Sequence, residues 1–214
     1  MELIDEIKLI NGKARISITI DSMGKVTLKH SKDVSKKALE NFIENKSSWI
    51  EKKKSEKLKS LEINSKILNY EEIEILGTKY TLIKSKRNRV EENKIFYTTH
   101  KYLSNLIKKI AQCEFEEKVQ FYSKIINVVP SKILLDNTKT RWGVCTSKNE
   151  IKINFRALLL PYELFEYIII HELCHLIQFN HSNLYWQVVE KFCPNYKKCK
   201  QNIKEYSFLL SLFR

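Results

Sequence analysis

Ile168-Ile169-Ile170-His171-Glu172-Leu173-Cys174-His175-Leu176 is the stretch on which the reading of this chain turns. Pro161 suits a first helical turn, and Glu163 and Glu166 favour the positive end of the helix it opens. The apolar run through Phe179 then predicts a buried helix. On a helix each residue advances about 100°, so a separation of four brings the imidazoles of His171 and His175 within about 40° of each other and one turn apart, able to grip one metal ion. Glu172 lies beside the pair. Its carboxylate is placed to take a proton from a metal-bound water, the arrangement used by zinc peptidases. Two histidines and a glutamate among isoleucines and leucines are costly to bury without such a purpose. The plainer alternative is a pair of hydrogen-bonded core histidines.

Zinc in a catalytic site takes three protein ligands and keeps a fourth position open. Two residues compete to be the third. If the helix continued, His181 would lie about 9 Å further along its axis and off the metal face, so it serves only if the chain turns back. Asn180 permits that turn, because asparagine tolerates the left-handed conformation that ends helices. Glu190, fifteen residues after His175 on the next predicted helix, is the alternative, a carboxylate ligand. His181 is preferred, since a neutral imidazole at a helix end has no other evident task. The HExxHxxGxxH grouping is not matched: Gln178 stands where its glycine would be.

Outward from this motif the pattern changes near residue 98. Before it, Ala14, Ile16, Ile18 and Ile20 alternate with Arg15, Ser17, Thr19 and Asp21, a half-buried strand that turns at Ser22-Met23-Gly24-Lys25 into Val26-Thr27-Leu28 as a hairpin. Leu39, Phe42, Ile43, Trp49 and Ile50 follow at helical spacing over 35–61, with a Lys/Glu-rich solvated face at Glu51 to Lys59. Strands are expected at 72–76, at 79–83 after a turn at Gly77, and at 94–97. Beyond residue 98, Leu103, Ile107, Phe115 and Val119 predict one long amphipathic helix to Asn127, stopped by Pro130. Strands at 132–135 and 150–155 flank a loop, 137–147, that holds Arg141-Trp142-Gly143. Helices over 183–192 and 195–212, separated by Pro194, complete the chain. The expected division is a β-rich module with one long helix, 1–98, and a metal-binding catalytic domain, 99–214.

A chain of 214 residues, 43% hydrophobic, buries a real core, which excludes disorder and fibrous classes. Met1-Glu2-Leu3-Ile4-Asp5-Glu6 is acidic where a signal peptide would be basic, and no apolar run approaches a membrane span, so a soluble cytoplasmic protein is expected, with no membrane partner. Five cysteines without a CxxC pair point to neither a disulfide framework nor a thiolate zinc finger. The net charge of +13 could draw nucleic acid, yet arginine occurs only at 15, 87, 89, 141, 156 and 214. Lysine is the poorer reader of bases and phosphates, so any nucleic-acid binding is expected to be weak and sequence-independent, and a Lys-rich solvated surface is the plainer reading.

The sequence resembles the YgjP-like metallohydrolases, related to the SprT-like and other small zincin-type proteins. The resemblance spans most of the chain. It rests on Arg141-Trp142-Gly143-Val144-Cys145-Thr146, on Ile153-Asn154-Phe155 with Leu158 to Pro161, on His171 to Leu176, on Asn180-His181-Ser182 with Tyr185-Trp186, and on Cys193-Pro194-Asn195-Tyr196. Val144 replaces the family's usual serine and Tyr185 its usual phenylalanine. The resemblance implies an α+β, zincin-like fold, a small mixed sheet packed on the HExxH helix and preceded by a β-rich module. It implies His171, His175 and His181 as metal ligands and Glu172 as general base.

Arg141 carries two readings: it neutralises an oxyanion or substrate anion, or it forms a structural salt bridge. Trp142 and Trp186 read as packing residues. Cys174 is turned off the shared metal face and reads as a buried thiol, and nothing marks Cys145 as an activated nucleophile. The expected function is that of a zinc-dependent hydrolase, foremost a metallopeptidase acting on a peptide or a small anionic substrate. Its rivals are a metal-dependent phosphohydrolase acting on a nucleotide-like anion, and a nucleic-acid-associated module with a structural zinc.

Overall fold

A computed structural model describes residues 8–11, 16–21, 24–63 and 65–213. The acidic start at 1–6, Ala14 and Arg15 of the first expected strand, and Ser22 and Met23 of its turn lie outside the described residues.

The chain forms two compact units, 1–65 and 66–214. In the first, β2 (Ile16–Ile20) pairs antiparallel with β3 (Val26–His30), placing Ile18 opposite Leu28 and Ile20 opposite Val26. Gly24 takes φ +78, a conformation that costs glycine little, and its N–H donates to the Asp21 carbonyl at 3.1 Å, closing the turn. The alternation in the sequence did not disclose β1 (Lys8–Asn11), which adds a parallel strand on the other side of β3. Helix α1 (Lys36–Ile63) buries Leu39, Ile43 and Ile50 with Val26 and Leu28. Trp49 falls off that stripe and is 43% exposed.

The second unit takes in the strands over 72–97 as well as everything after residue 98. β4 (Glu72–Ile75), β5 (Thr78–Lys84), β6 (Arg89–Glu91) and β7 (Lys94–Tyr97) form one sheet in the order β4-β5-β7-β6. It is tied to the later chain by the Leu76 N–H, which donates to the Leu158 carbonyl at 3.3 Å. Helix α2 (His100–Ile126) buries Leu103, Ile107, Phe115 and Val119 of the predicted stripe, together with Ala111. Its start is capped by Thr99, whose side chain accepts from the Tyr102 N–H. Asn127, not Pro130, ends it: Asn127 adopts the left-handed region at φ 61 and donates its N–H to the Ser123 carbonyl, three residues before the proline.

A second, mixed sheet follows in the order β8-β10-β9, with β8 (Lys132–Asp136) parallel and β9 (Gly143–Cys145) antiparallel to β10 (Glu150–Asn154). β9 lies inside the stretch expected as loop. A 3₁₀ segment, Phe155–Leu159, leads to Pro161 and helix α3 (Tyr162–Cys174), which packs on α2, β9 and β10. This is the expected α+β arrangement of a small mixed sheet on the HExxH helix. The buried helix stops earlier than its apolar run: Ile177 and Phe179 are 48% and 54% exposed. Helices α4 (Asn183–Phe192) and α5 (Tyr196–Asn202) follow, and a 3₁₀ segment, Ile203–Ser211, replaces the second half of the expected last helix. No helix among the described residues is long and apolar enough to cross a membrane.

Candidate metal centre

His171 and Glu172 sit in the last turn of α3, and His175 is its C-terminal cap, still in the right-handed region. The chain then leaves the helix axis, with the Gln178 N–H returning to the Cys174 carbonyl at 3.1 Å. Asn180 makes the turn, but not by the expected left-handed backbone: it is not among the residues with positive φ. Its side-chain oxygen accepts instead from the Ser182 N–H at 3.3 Å and from Gln178 Nε2 at 3.0 Å. The Ser182 hydroxyl then accepts from the Tyr185 N–H and caps α4. Between these two devices His181 comes back over the helix end.

The result is a cluster of three imidazoles, His171, His175 and His181, each offering a ring nitrogen within 4.8 Å of the others. His181 Nε2 faces His171 Nε2 at 3.2 Å. Two nitrogens each about 2.0–2.1 Å from one tetrahedral zinc lie roughly 3.3–3.4 Å apart, so this separation fits a shared cation. His175 Nδ1 lies 3.3 Å from the Gln178 carbonyl, which can only accept, so Nδ1 carries the hydrogen and Nε2 keeps its lone pair. Burial, reinforced by His175 and His181, pushes the His171 imidazole down to about 3. Burial lowers His175 as well, against the opposing pull of the Gln178 carbonyl, and it lowers His181 together with Lys200. All three are therefore neutral near pH 7, the form that ligates a metal.

Glu172 is 5% exposed and points toward the sheet. Gly143 of β9 is what admits it: a Cβ on Gly143 would stand 2.6 Å from Glu172 Oε1 and 2.7 Å from its Cγ. Burial pushes the Glu172 carboxyl up to about 8, while the Cys145 backbone amide and the Arg141 charge pull it down. A carboxyl held in that range exchanges protons near neutral pH.

The remaining predicted residues divide. Glu190 is not in the cluster; it pairs with Lys197 at 3.5 Å on the surface, so its carboxylate is engaged elsewhere. Arg141 Nε donates to Asp136 Oδ2 at 3.1 Å, the salt-bridge reading, and its side chain is 48% exposed. Burial raises the thiols of Cys145, to about 11, and of Cys174, to about 12, and neither is an activated nucleophile.

Three further residues support the cluster, in roles that their motifs alone did not assign. Tyr185 donates its hydroxyl to the His171 carbonyl at 3.0 Å and stacks on His175 at a centroid distance of 4.4 Å. Trp186, expected to be plain packing, stacks on His181 at 5.5 Å and is itself backed by Tyr196 and by Lys200, 3.9 Å above the indole. Asn154 is fully buried; its Nδ2 donates to the carbonyls of Thr138 and Arg141 and fixes the loop that enters β9. The motifs carrying the resemblance, which hold Asn154, Tyr185 and Trp186, were the available signal.

A family model described as YgjP-like, metallopeptidase domain, matches residues 14–206. Among solved structures, the chain is similar to the metallopeptidase zymogen abylysin of Pyrococcus abyssi, with 25% identity over 42% of this chain and 90% of that one, at a TM-score of 0.39. A search of curated proteins finds no match.

Proposed function

Since the chain belongs to the YgjP-like metallopeptidase family and is thereby a metal-dependent hydrolase, we propose that it is a zinc enzyme cleaving peptide bonds, with His171, His175 and His181 as ligands and Glu172 as general base. The observation that carries this reading is the convergence of three imidazoles, their ring nitrogens within 4.8 Å of one another, at the end of the helix that also bears Glu172, buried against Gly143. A bound zinc ion would supply positive charge that eases deprotonation of water and polarises the carbonyl under attack. Glu172, seated against Gly143 and held by the Cys145 amide, accepts the proton that water loses and returns it to the leaving amine. Trp186 and Tyr185 keep His181 and His175 in place by stacking. β9 lies at the edge of its sheet beside this glutamate, where an extended peptide can pair with it.

Metal analysis of the wild type, His181→Ala and Glu190→Ala, with a peptide-library digest and a phosphate-release screen on nucleotides, tests the proposal. The expected outcome is one zinc per chain, lost in His181→Ala and kept in Glu190→Ala, with peptide cleavage abolished by a chelator. Zinc lost from Glu190→Ala but retained by His181→Ala overturns the ligand set, and phosphate release without peptide cleavage overturns the bond assigned.

A further inference from the structure

The second unit holds a cavity of about 480 Å³ whose lining side chains are polar or basic except for Phe213, with the lysine stems adding to its apolar surface, and it is lined by none of the histidine-centre residues. One side of it is the first two turns of α2, where Lys101, Ser104, Asn105 and Lys108 recur at intervals of three and four and so share a face. Facing them are Asn137 and Lys139, from the loop after β8. Arg156, 2% exposed, completes the basic lining; its Nε donates to the Leu212 carbonyl at 2.8 Å and a terminal nitrogen donates to Asn154 Oδ1 at 3.3 Å, which fixes the guanidinium in place. Among the described residues no acidic side chain is in the lining. Among the described residues Lys101, Lys108 and Lys139 enter no salt bridge, although the chain makes several such pairs elsewhere.

Three lysines gathered around one cavity repel one another, and the positive end of α2 adds to the same field. A compact polyanion relieves that repulsion, and the amides and the Ser104 hydroxyl supply neutral hydrogen bonds to its remaining oxygens. The volume is that of a small-molecule site rather than a macromolecular groove. Lysines read phosphate less specifically than arginine does, but as point charges they can meet the oxygens of linked phosphates from several directions; the one guanidinium in this wall is turned to Leu212 and Asn154 and offers a carboxylate no fork. We propose that this cavity is a binding site for a small ligand bearing two or more linked phosphates, separate from the metal centre.

The test is calorimetric titration of the purified, metal-loaded protein with tripolyphosphate, pyrophosphate, inorganic phosphate and citrate. Lys101→Gln/Lys139→Gln is compared with Lys132→Gln/Lys148→Gln, which removes the same charge at the opposite end of β8. Tripolyphosphate should bind at one site, more tightly than pyrophosphate and far more tightly than phosphate. The cavity pair should weaken it by about tenfold or more while the control pair changes it less than about twofold. Turnover on peptide should be the same in both pairs. Equal weakening in the two pairs would show diffuse attraction to a basic surface and overturn the site. Citrate binding as tightly as tripolyphosphate would overturn the ligand class. A short duplex that displaces tripolyphosphate and loses its own affinity in the cavity pair would assign the wall to nucleic acid instead.

Discussion

Helices α1 and α3 are opposites. α1 runs 28 residues and, among the described residues, places a narrow stripe, Leu39, Ile43 and Ile50, into its core, leaving a lysine- and glutamate-rich face in water. α3 runs 13 residues and is buried on nearly every side, with Leu164, Phe165, Ile168, Ile169, Ile170, Leu173 and Cys174 all inside. The polar groups of α1 are solvated and cheap. Those of α3 are few: Glu172 is held by the Cys145 amide, Tyr185 donates to the His171 backbone carbonyl, and His171 Nδ1 is buried with no hydrogen-bond partner among the described residues. Polarity on a wet helix therefore describes solubility, whereas polarity on a dry helix marks the chemistry, because only there does each group carry a desolvation cost that something must offset.

The largest effect that would sharpen this contrast lies in Glu172. Glu172→Gln keeps the side chain's size over Gly143 and removes its ability to accept a proton. Zinc content and melting temperature should be retained while turnover on the best peptide falls by roughly a hundred- to ten-thousand-fold. An unchanged turnover number in the folded, zinc-loaded variant would remove Glu172 from the reaction and reduce α3 to a buried structural helix.

A smaller effect is expected from the other helix. Ile50 is fully buried in the core of the first unit. Ile50→Ala should destabilise that unit by about 2–5 kcal/mol, the cost of lost burial and the cavity left behind. The chemistry should survive: zinc stoichiometry and turnover, measured below the lowered melting point, stay at wild-type values. A loss of zinc at a temperature where the unit is still folded would break the division between a structural and a chemical helix.

How much of this was legible in the residues follows the same division. Spacing of four between His171 and His175 is a local fact, and the sequence carries it openly. The third member of the histidine cluster is not local: choosing between His181 and Glu190 requires the path of the chain after Cys174, which the Asn180 and Ser182 side chains set through hydrogen bonds rather than through backbone propensity. β9 escaped because three residues are too few for a period of two, and its role rests on the side chain that Gly143 lacks. The long stripe of α2 was plain, whereas its end belonged to Asn127 and not to the more conspicuous Pro130. The strands over 72–97 were readable one by one, but their membership in the second unit depends on pairings such as Leu76 with Leu158, which no local pattern announces.

The smallest expected effect concerns protons, and it separates the two buried groups of α3 by sign. In the metal-free protein His171 stays neutral down to about pH 3, while in the unfolded chain it takes up a proton near 6.5. Below 6.5 the unfolded state therefore binds more protons, and this contribution to stability is lost as pH falls. His175 and His181, lowered in the same direction, steepen the loss. Glu172 acts oppositely: it keeps its proton to about pH 8 when folded but releases it near 4.5 when unfolded, so its contribution is lost as pH rises between those values. From 4.5 to 6.5 the two terms offset each other in the wild type. Glu172→Gln deletes one of them. Chemical denaturation of the metal-free variant across pH 5 to 7 should then show stability falling toward acid by about 1.4 kcal/mol per pH unit for each histidine that remains unprotonated in the fold. The wild type should be distinctly flatter over the same range, and it alone should lose stability between pH 6.5 and 8. Parallel profiles for the two proteins would mean that Glu172 is ionised in the fold at neutral pH, and that α3 holds its carboxylate as wet as any on α1.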